Sequence, residues 1–121
     1  MKLHGIFTIE GELPSLNEII NEARGNKYAS ASTKKRAMNK AIIFCKSINK
    51  IPSIANFEFR YFCKDKRKDK DNIAAGAKKI IFDALVKSDK MENDGWSQVG
   101  DWSETFEVDK ERPRIEVSIY C

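Results

Sequence analysis

The sequence predicts an α+β fold, a mixed β-sheet with two main helices packed against it. Its 121 residues suit a single core, so residues 1–121 are taken as one domain. Alternating apolar residues near both ends predict strands, and two segments between them repeat apolar residues at helical spacing. The composition, 41% hydrophobic and 33% charged, lies in the globular range and excludes a disordered chain.

The first half of the chain predicts one strand and one long helix. Residues 3–9 alternate with a period of two, which predicts the opening strand. Residues 13–28 are less regular, with Ser15 as a possible helix cap and a loop at 24–26. From about residue 32 to 50, small and apolar side chains recur at helical spacing beside lysines, which predicts an amphipathic helix with a basic outer face.

The second half predicts a buried strand, a second helix and a hairpin. Residues 57–63 alternate and lead into a charged loop at 64–71. The next helix carries apolar residues on one face, with Asp71 or Asn72 placed to cap its first turn. After a polar turn, residues 105–108 and 115–119 are expected to form the two arms of a hairpin.

Charge is distributed unevenly along the chain. The net charge is only +4, but residues 24–88 contain 17 basic and five acidic side chains. Residues 24–50 carry eight bases and no acid, which is typical of a surface that meets phosphates. A solvated, lysine-rich helix face is the alternative explanation.

Several classes of protein are not expected. No run of apolar residues approaches the length of a membrane span, and the N-terminus lacks the pattern of a secretory signal. Cys45, Cys63 and Cys121 are too few and too scattered for a disulfide framework or a thiolate zinc site. We therefore expect a soluble protein of the reducing cytosol, with no membrane partner.

Asp69 and Asp71 are the side chains that most clearly suggest a chemical function. They are separated by one residue where a strand passes through a loop into a helix, and Asp94 follows that helix. Mg²⁺ prefers such hard carboxylate oxygens, and neighbouring bases could bring a phosphodiester within reach. The structural alternatives are helix capping for Asp71 and Asn72 and an exposed loop charge for Asp69.

Three motifs in order around the second helix resemble the RusA-like Holliday junction resolvases. They are Asp-Lys-Asp-Asn-Ile at 69–73, Phe-Asp-Ala-Leu at 82–85 and Glu-Asn-Asp at 92–94. The stretch Pro-Ser-Leu-Asn at 14–17, followed by a basic loop, is similar to another family motif. The resemblance implies a homodimeric, Mg²⁺-dependent endonuclease that resolves four-way DNA junctions in recombination and repair, in a bacterium or a phage.

The resemblance also implies which residues act. Asp69, Asp71 and Asp94 match the family's metal-binding carboxylates, with Mn²⁺ able to replace Mg²⁺. The family's functional lysine falls on Ala75 here. Lys78, which shares a helix face with Asp71, or Lys79, which lies on the face of Asn72, is expected to supply that charge at the transition state.

The expected reaction is hydrolysis by metal-activated water at two symmetric sites of a homodimer. Trp96 and Trp102 flank the acidic turn, where packing is favoured over stacking on a base. The alternatives are a non-catalytic DNA-binding module, a nuclease for another branched DNA, and a lysine-rich interaction domain. The expected DNA contacts are Asn17, Lys27, Lys34, Lys35, Arg36, Lys64, Arg67, Lys68 and Lys78.

Overall fold

A computed structural model of the chain describes the backbone of residues 1–25 and 27–121, and the side chains of these residues except 22, 23 and 27–32. Strands and helices are both present and the sheet is mixed, so the α+β class is confirmed. In chain order the elements are β1 (Leu3–Glu10), α1 (Leu16–Gly25), α2 (Lys27–Cys45), β2 (Ala55–Cys63), α3 (Lys70–Lys87), β3 (Val99–Val108) and β4 (Arg114–Tyr120).

The sheet has the strand order β1-β4-β2-β3. β4 runs antiparallel to both β1 and β2, whereas β3 pairs in parallel with β2. The expected hairpin between β3 and β4 is therefore wrong, because β2 lies between them. A parallel pair needs a crossover, which α3 provides, and the turn at 109–113 then carries the chain past β2.

The described part of the chain forms three helices, not two. The additional helix, α1, begins directly after Ser15, which confirms that residue as a cap. α2 begins and ends five residues earlier than expected, because Ile48 packs in the core after the helix has ended. None of the helices in the described ranges is long and apolar enough to cross a membrane.

The core lies between one face of the sheet and the helices. Every second residue of β2 is buried, which confirms the expected buried strand. The ring of Phe82, on α3, contacts Phe57 and Phe59 edge-on at centroid distances of 5.1 and 5.8 Å. Because α3 links two parallel strands, it runs antiparallel to them. Its first turn therefore lies with the C-terminal ends of β2 and β3, and its last turn lies with their beginnings.

Candidate metal and nucleic-acid site

The first turn of α3 presents two exposed aspartates. Asp69 is the N-cap residue, with φ −70° and ψ 145°, yet its side chain makes no capping hydrogen bond. Asp71 lies in the first turn and accepts a hydrogen bond from the backbone N–H of Asn72 at 2.9 Å. The expectation that Asp71 or Asn72 is the cap is therefore wrong. Since the Asp69 carboxylate is not used for capping, it remains available to a ligand.

The beginning of α1 packs directly against this turn. The side-chain oxygen of Asn72 accepts a hydrogen bond from the backbone N–H of Asn17 at 2.8 Å. One turn further along α3, a Cβ on Gly76 would lie 2.3 Å from the carbonyl oxygen of Pro14. Sequence reasoning missed Gly76, although an isolated glycine in a helical pattern often marks a close approach. These contacts join the Pro-Ser-Leu-Asn and Asp-Lys-Asp-Asn motifs.

Glu18 connects α1 to the loop before α3. Its carboxylate accepts a 3.0 Å hydrogen bond from the hydroxyl of Ser15, whose oxygen faces the Glu18 backbone N–H, as in a capping box. Glu18 also forms an ion pair with Lys68. Partial burial acts to raise the pKa of Glu18, but the hydrogen bonds from Lys68 and Ser15 outweigh it and leave the pKa lowered. Lys68 is thus held beside the aspartates.

A groove of about 690 Å³ opens beside Asp69. Apolar side chains from α3 and β3 form part of its lining, including Ile73 and Phe106. Lys70 lies over the Phe106 ring with its ammonium 5.6 Å from the centroid. Lys70 belongs to the basic loop that the sequence predicted near a phosphodiester, whereas Phe106 was missed, because only the βαβ crossover brings β3 to this position. The charged lining residues are Asp65, Lys66, Lys68, Asp69, Lys70 and Glu107.

Two other expected DNA contacts lie in the loop before α3. Arg67 is 89% exposed and lies 3.7 Å from the Asp65 carboxylate. The Lys64 ammonium lies 3.9 Å from the Glu12 carboxylate. Both bases are well exposed and their acidic partners are partly exposed, and such pairs are worth little, so either base can exchange its partner for a phosphate.

The described basic residues of α2 point toward the same end of the molecule. The C-terminus of α2 lies with that of α3, where the Cys45 sulfur is 3.5 Å from the Ser88 hydroxyl. Lys40, nearer the start of α2, reaches Gly11, which follows the C-terminal end of β1. Lys34, Lys35 and Arg36 are exposed one to two turns beyond it. The side chain of Lys27 lies outside the described residues.

Lys78 and Lys79 point in different directions. The Lys78 ammonium is 2.8 Å from the Glu104 carboxylate on β3 and 4.6 Å from the centroid of the Trp102 ring. It therefore faces the edge strand and does not reach back to Asp71, contrary to expectation. Lys79 is exposed, with its ammonium 3.7 Å from Asp83. Of the two lysines, Lys79 remains the one predicted to supply the positive charge that is missing at Ala75.

The Lys78–Glu104 pair borders a buried polar group. The hydroxyl of Tyr61 and one carboxylate oxygen of Glu104 are buried without a hydrogen-bond partner in the described structure. Burial, and after it the neighbouring Glu104 carboxylate, raises the pKa of Tyr61. Lys78 is therefore held in an ion pair with Glu104, and its contact with DNA stays a prediction.

Asp94 lies at the opposite end of α3 from the other two aspartates. The helix has 18 residues, so its ends are about 25 Å apart. Asp94 immediately precedes Gly95, whose carbonyl accepts a hydrogen bond from Val99 at 2.9 Å, where β3 begins. Among the residues that the structure describes, no three His, Cys, Asp or Glu side chains are placed to share a metal ion. The expectation that all three aspartates of one chain converge is wrong.

The two tryptophans also lie toward this end. Trp96 is 97% exposed, so it does not pack in the core of the chain, and packing in a dimer interface stays a prediction. Trp102 is 48% exposed and contacts Phe82 with a centroid distance of 6.2 Å, so part of its ring packs as expected.

Neither a comparison with models of protein families nor one with curated proteins finds a match to this chain.

Proposed function

We propose that this chain is the subunit of a Mg²⁺-dependent endodeoxyribonuclease that cuts branched DNA, with four-way junctions as its substrate. The observation that carries the proposal is the exposed pair Asp69 and Asp71 at the start of α3, beside a groove with three lysines. Metal-ligating acids next to phosphate-binding bases are the combination that metal-dependent phosphodiester hydrolysis requires. The choice of four-way junctions rests on the resemblance to RusA-like resolvases.

The two aspartates fit Mg²⁺. Mg²⁺ is usually held by one or two carboxylates, with waters and substrate phosphates completing its coordination. Asp69 and Asp71 would hold the ion, and neither side chain is committed to a salt bridge in the described structure. The metal would supply an activated water and neutralise charge on the scissile phosphate, and Mn²⁺ would serve in its place.

The chain's own bases bind and orient the DNA. Lys66 and Lys70 line the groove together with Asp69 and would hold phosphates flanking the scissile one. Lys34, Lys35 and Arg36 extend the positive surface along α2 and would follow an arm of the junction. Lys79, exposed on α3, would supply the remaining positive charge near the transition state.

Cleavage of a synthetic four-way junction in Mg²⁺ tests the proposal. Asp71→Asn should abolish cutting while junction binding persists or strengthens, because a negative charge that faces phosphates is removed. Asp89→Asn is the matched control, since Asp89 is exposed and its backbone, at φ 60°, suits Asn equally well. Unchanged cutting by Asp71→Asn would refute the assignment, and junction binding by the wild type without cutting would favour a non-catalytic DNA-binding protein.

Salt dependence tests the DNA surface. Each of Lys34→Ala, Lys35→Ala and Arg36→Ala should lower the slope of log K against log salt by about one unit. Lys87→Ala, at the C-terminal end of α3, should leave the slope unchanged. Competition by flap and fork DNA distinguishes a junction enzyme from a nuclease with another branched substrate.

A further inference from the structure

We propose that the groove beside Asp69 holds one unstacked nucleobase of the DNA, with its face on the ring of Phe106 and the neighbouring phosphates on Lys66 and Lys70. The choice of DNA as the ligand rests on the proposed function, but the test of the base site does not require cleavage.

Phe106 is the outer end of a row of stacked aromatic rings. Its ring lies 4.9 Å from that of Tyr61 at an interplanar angle of 22°, and Tyr61 stacks on Phe59 at 6.1 Å and 12°. Tyr61 and Phe59 are buried on β2, whereas Phe106 is half-buried on β3, which has β2 as its one neighbour among the described strands. The face of the Phe106 ring that is turned away from Tyr61 is therefore not covered by another strand. A flat ring placed there would continue the stack.

The side chains around this ring are apolar. Ile73 on α3 and Val108 on β3 line the same groove, and Val108 is exposed. The volume of about 690 Å³ lies within the range of pockets that hold small organic ligands, which are mostly lined by apolar and aromatic side chains. The groove therefore suits a flat ring such as that of a nucleobase.

Two lysines of the same groove suit phosphates. The Lys70 ammonium lies 5.6 Å from the centroid of the Phe106 ring, and Lys66 also lines the groove. Lys68 is already paired with Glu18, so Lys66 and Lys70 are the lining bases without an ion pair in the described structure. An aromatic ring beside ammonium groups is the combination that binds a nucleotide, whose base has a π face and whose phosphates are anionic.

The acidic side chains of the groove are compatible with a base. The carboxylates of Asp65 and Glu107 line it, and carboxylates accept hydrogen bonds from the amino groups at the edges of bases. Asp69 lines it as well. The bound base would therefore belong to a nucleotide close to the phosphate that the metal at Asp69 and Asp71 acts on.

The ligand has to be a base that has left its stack. In an intact duplex both faces of each base are covered by its neighbours, so none can lie on Phe106. Unpaired bases, such as those at a branch point, are the easiest to extrude. Stacking accepts every base, because each has a π face. Phe106 would therefore favour branched over intact duplex DNA without selecting a sequence.

Oligonucleotide binding in the absence of divalent metal tests the base site apart from cleavage. The two probes are a short oligothymidylate and an abasic oligomer of equal length, which keeps the phosphates but lacks the bases. The wild type should bind the oligothymidylate roughly 5- to 150-fold more tightly, which corresponds to one stacked base. Equal affinity of the wild type for the two oligomers overturns the inference.

Substitutions at Phe106 locate the effect. Phe106→Leu keeps an apolar side chain against Tyr61 but removes the π face, so the ratio of the two affinities should fall to near one. Phe106→Trp should keep the ratio. Trp102→Leu is the matched control, because Trp102 lies on the same face of β3 but does not line the groove. An unchanged ratio in Phe106→Leu overturns the inference.

Two further outcomes separate this inference from its rivals. If Phe106→Leu alters sedimentation of the protein but not the ratio, another protein chain covers the groove and the base site is wrong. If the wild type cuts junctions but binds both oligomers equally, the base site fails and the nuclease stands. If it distinguishes the oligomers through Phe106 but cuts no junction, the proposed function fails and the base site stands.

Discussion

The two ends of α3 hold the candidate functional aspartates, but they are built in different ways. At the N-terminal end, side chains make the contacts: Asn72 binds the backbone of Asn17, and Lys68 pairs with Glu18. At the C-terminal end, backbone hydrogen bonds close the helix, and the side chains of Ser88 and Asp89 add contacts with Cys45 and Lys50. The N–H groups of Ser88 and Lys90 donate to carbonyls of the last turn, at 2.9 Å each.

The chain is anchored in the core at the C-terminal end, whereas the Asp69 side chain at the N-terminal end makes no capping hydrogen bond. The carbonyl of Lys90 accepts a 2.8 Å hydrogen bond from Ile51, and Met91 is buried, so the chain after α3 is anchored in the core. Beyond this anchor, Asp94 and Trp96 are exposed. At the other end, Asp69 caps the helix only by its backbone. Among the described residues, neither end places three His, Cys, Asp or Glu side chains so that they could share one metal ion.

The largest expected effect is on metal binding at the N-terminal end. Asp69→Asn should weaken Mn²⁺ binding, measured by calorimetry, by more than about 100-fold, since even indirect metal contacts are worth 10- to 100-fold. Asp89→Asn, at the other end, should bind Mn²⁺ like the wild type. Equal losses of Mn²⁺ affinity in Asp69→Asn and Asp89→Asn would show that the two ends of α3 do not differ in metal binding.

The packing of α1 on α3 should be the most sensitive structural contact. Gly76→Ala forces a Cβ against the Pro14 carbonyl and should lower the free energy of unfolding by roughly 1–3 kcal/mol. Gly25→Ala, where nothing lies within 4 Å of the added Cβ, should cause no loss. Urea denaturation measures both, and equal stability of the two variants would contradict the close approach.

The stability of the N-cap of α1 should depend on the Ser15 side chain more than the stability of the C-cap of α3 depends on the Ser88 side chain. Ser15→Ala removes one half of a capping box and should cost about 1 kcal/mol. Ser88→Ala leaves the backbone hydrogen bonds of the C-cap intact and should cost less than about 0.5 kcal/mol. Thermal unfolding of both variants measures the two stability losses. A larger loss in Ser88→Ala than in Ser15→Ala would contradict the prediction.

The smallest expected effect is on how the stability of the fold depends on pH. The pKa of Glu18 is lower in the folded chain than its ordinary value of 4.5, so its stabilisation is present above that value and is lost as the pH falls through the folded pKa. Glu18→Gln keeps a capping side chain and should be less stable at pH 7 by at most about 0.5 kcal/mol, because the pair is exposed. Urea midpoints of the two proteins should converge as the pH falls below 4.5 and through the folded pKa of Glu18. A constant difference would exclude the charge as the cause.

Local pattern predicted the elements better than their pairing. The period of β2 and the apolar stripe of α3 are set by neighbours a few residues away, so they could be predicted from the sequence. α1 was missed because its sequence is irregular and its stabilising contacts, through Gly76 and Asn72, come from residues more than 50 positions later. The prediction of a hairpin between β3 and β4 was wrong because adjacency in sequence does not determine which strand occupies the centre of a sheet.

The candidate site was likewise predicted in part from the sequence and decided in part by the tertiary structure. The sequence by itself determined where the acids and bases lie along the chain, and that Asp69 and Asp71 share one helix turn. Only the tertiary structure decided that Lys70 and Phe106 line the groove, that Lys78 is bound by Glu104, and that Asp94 lies at the end of α3 opposite Asp69 and Asp71. The physical reason is that hydrogen bonds of Lys90 with Ile51 and of Gly95 with Val99 fix the backbone after α3, so Asp94 is held at the end of the helix away from Asp69 and Asp71.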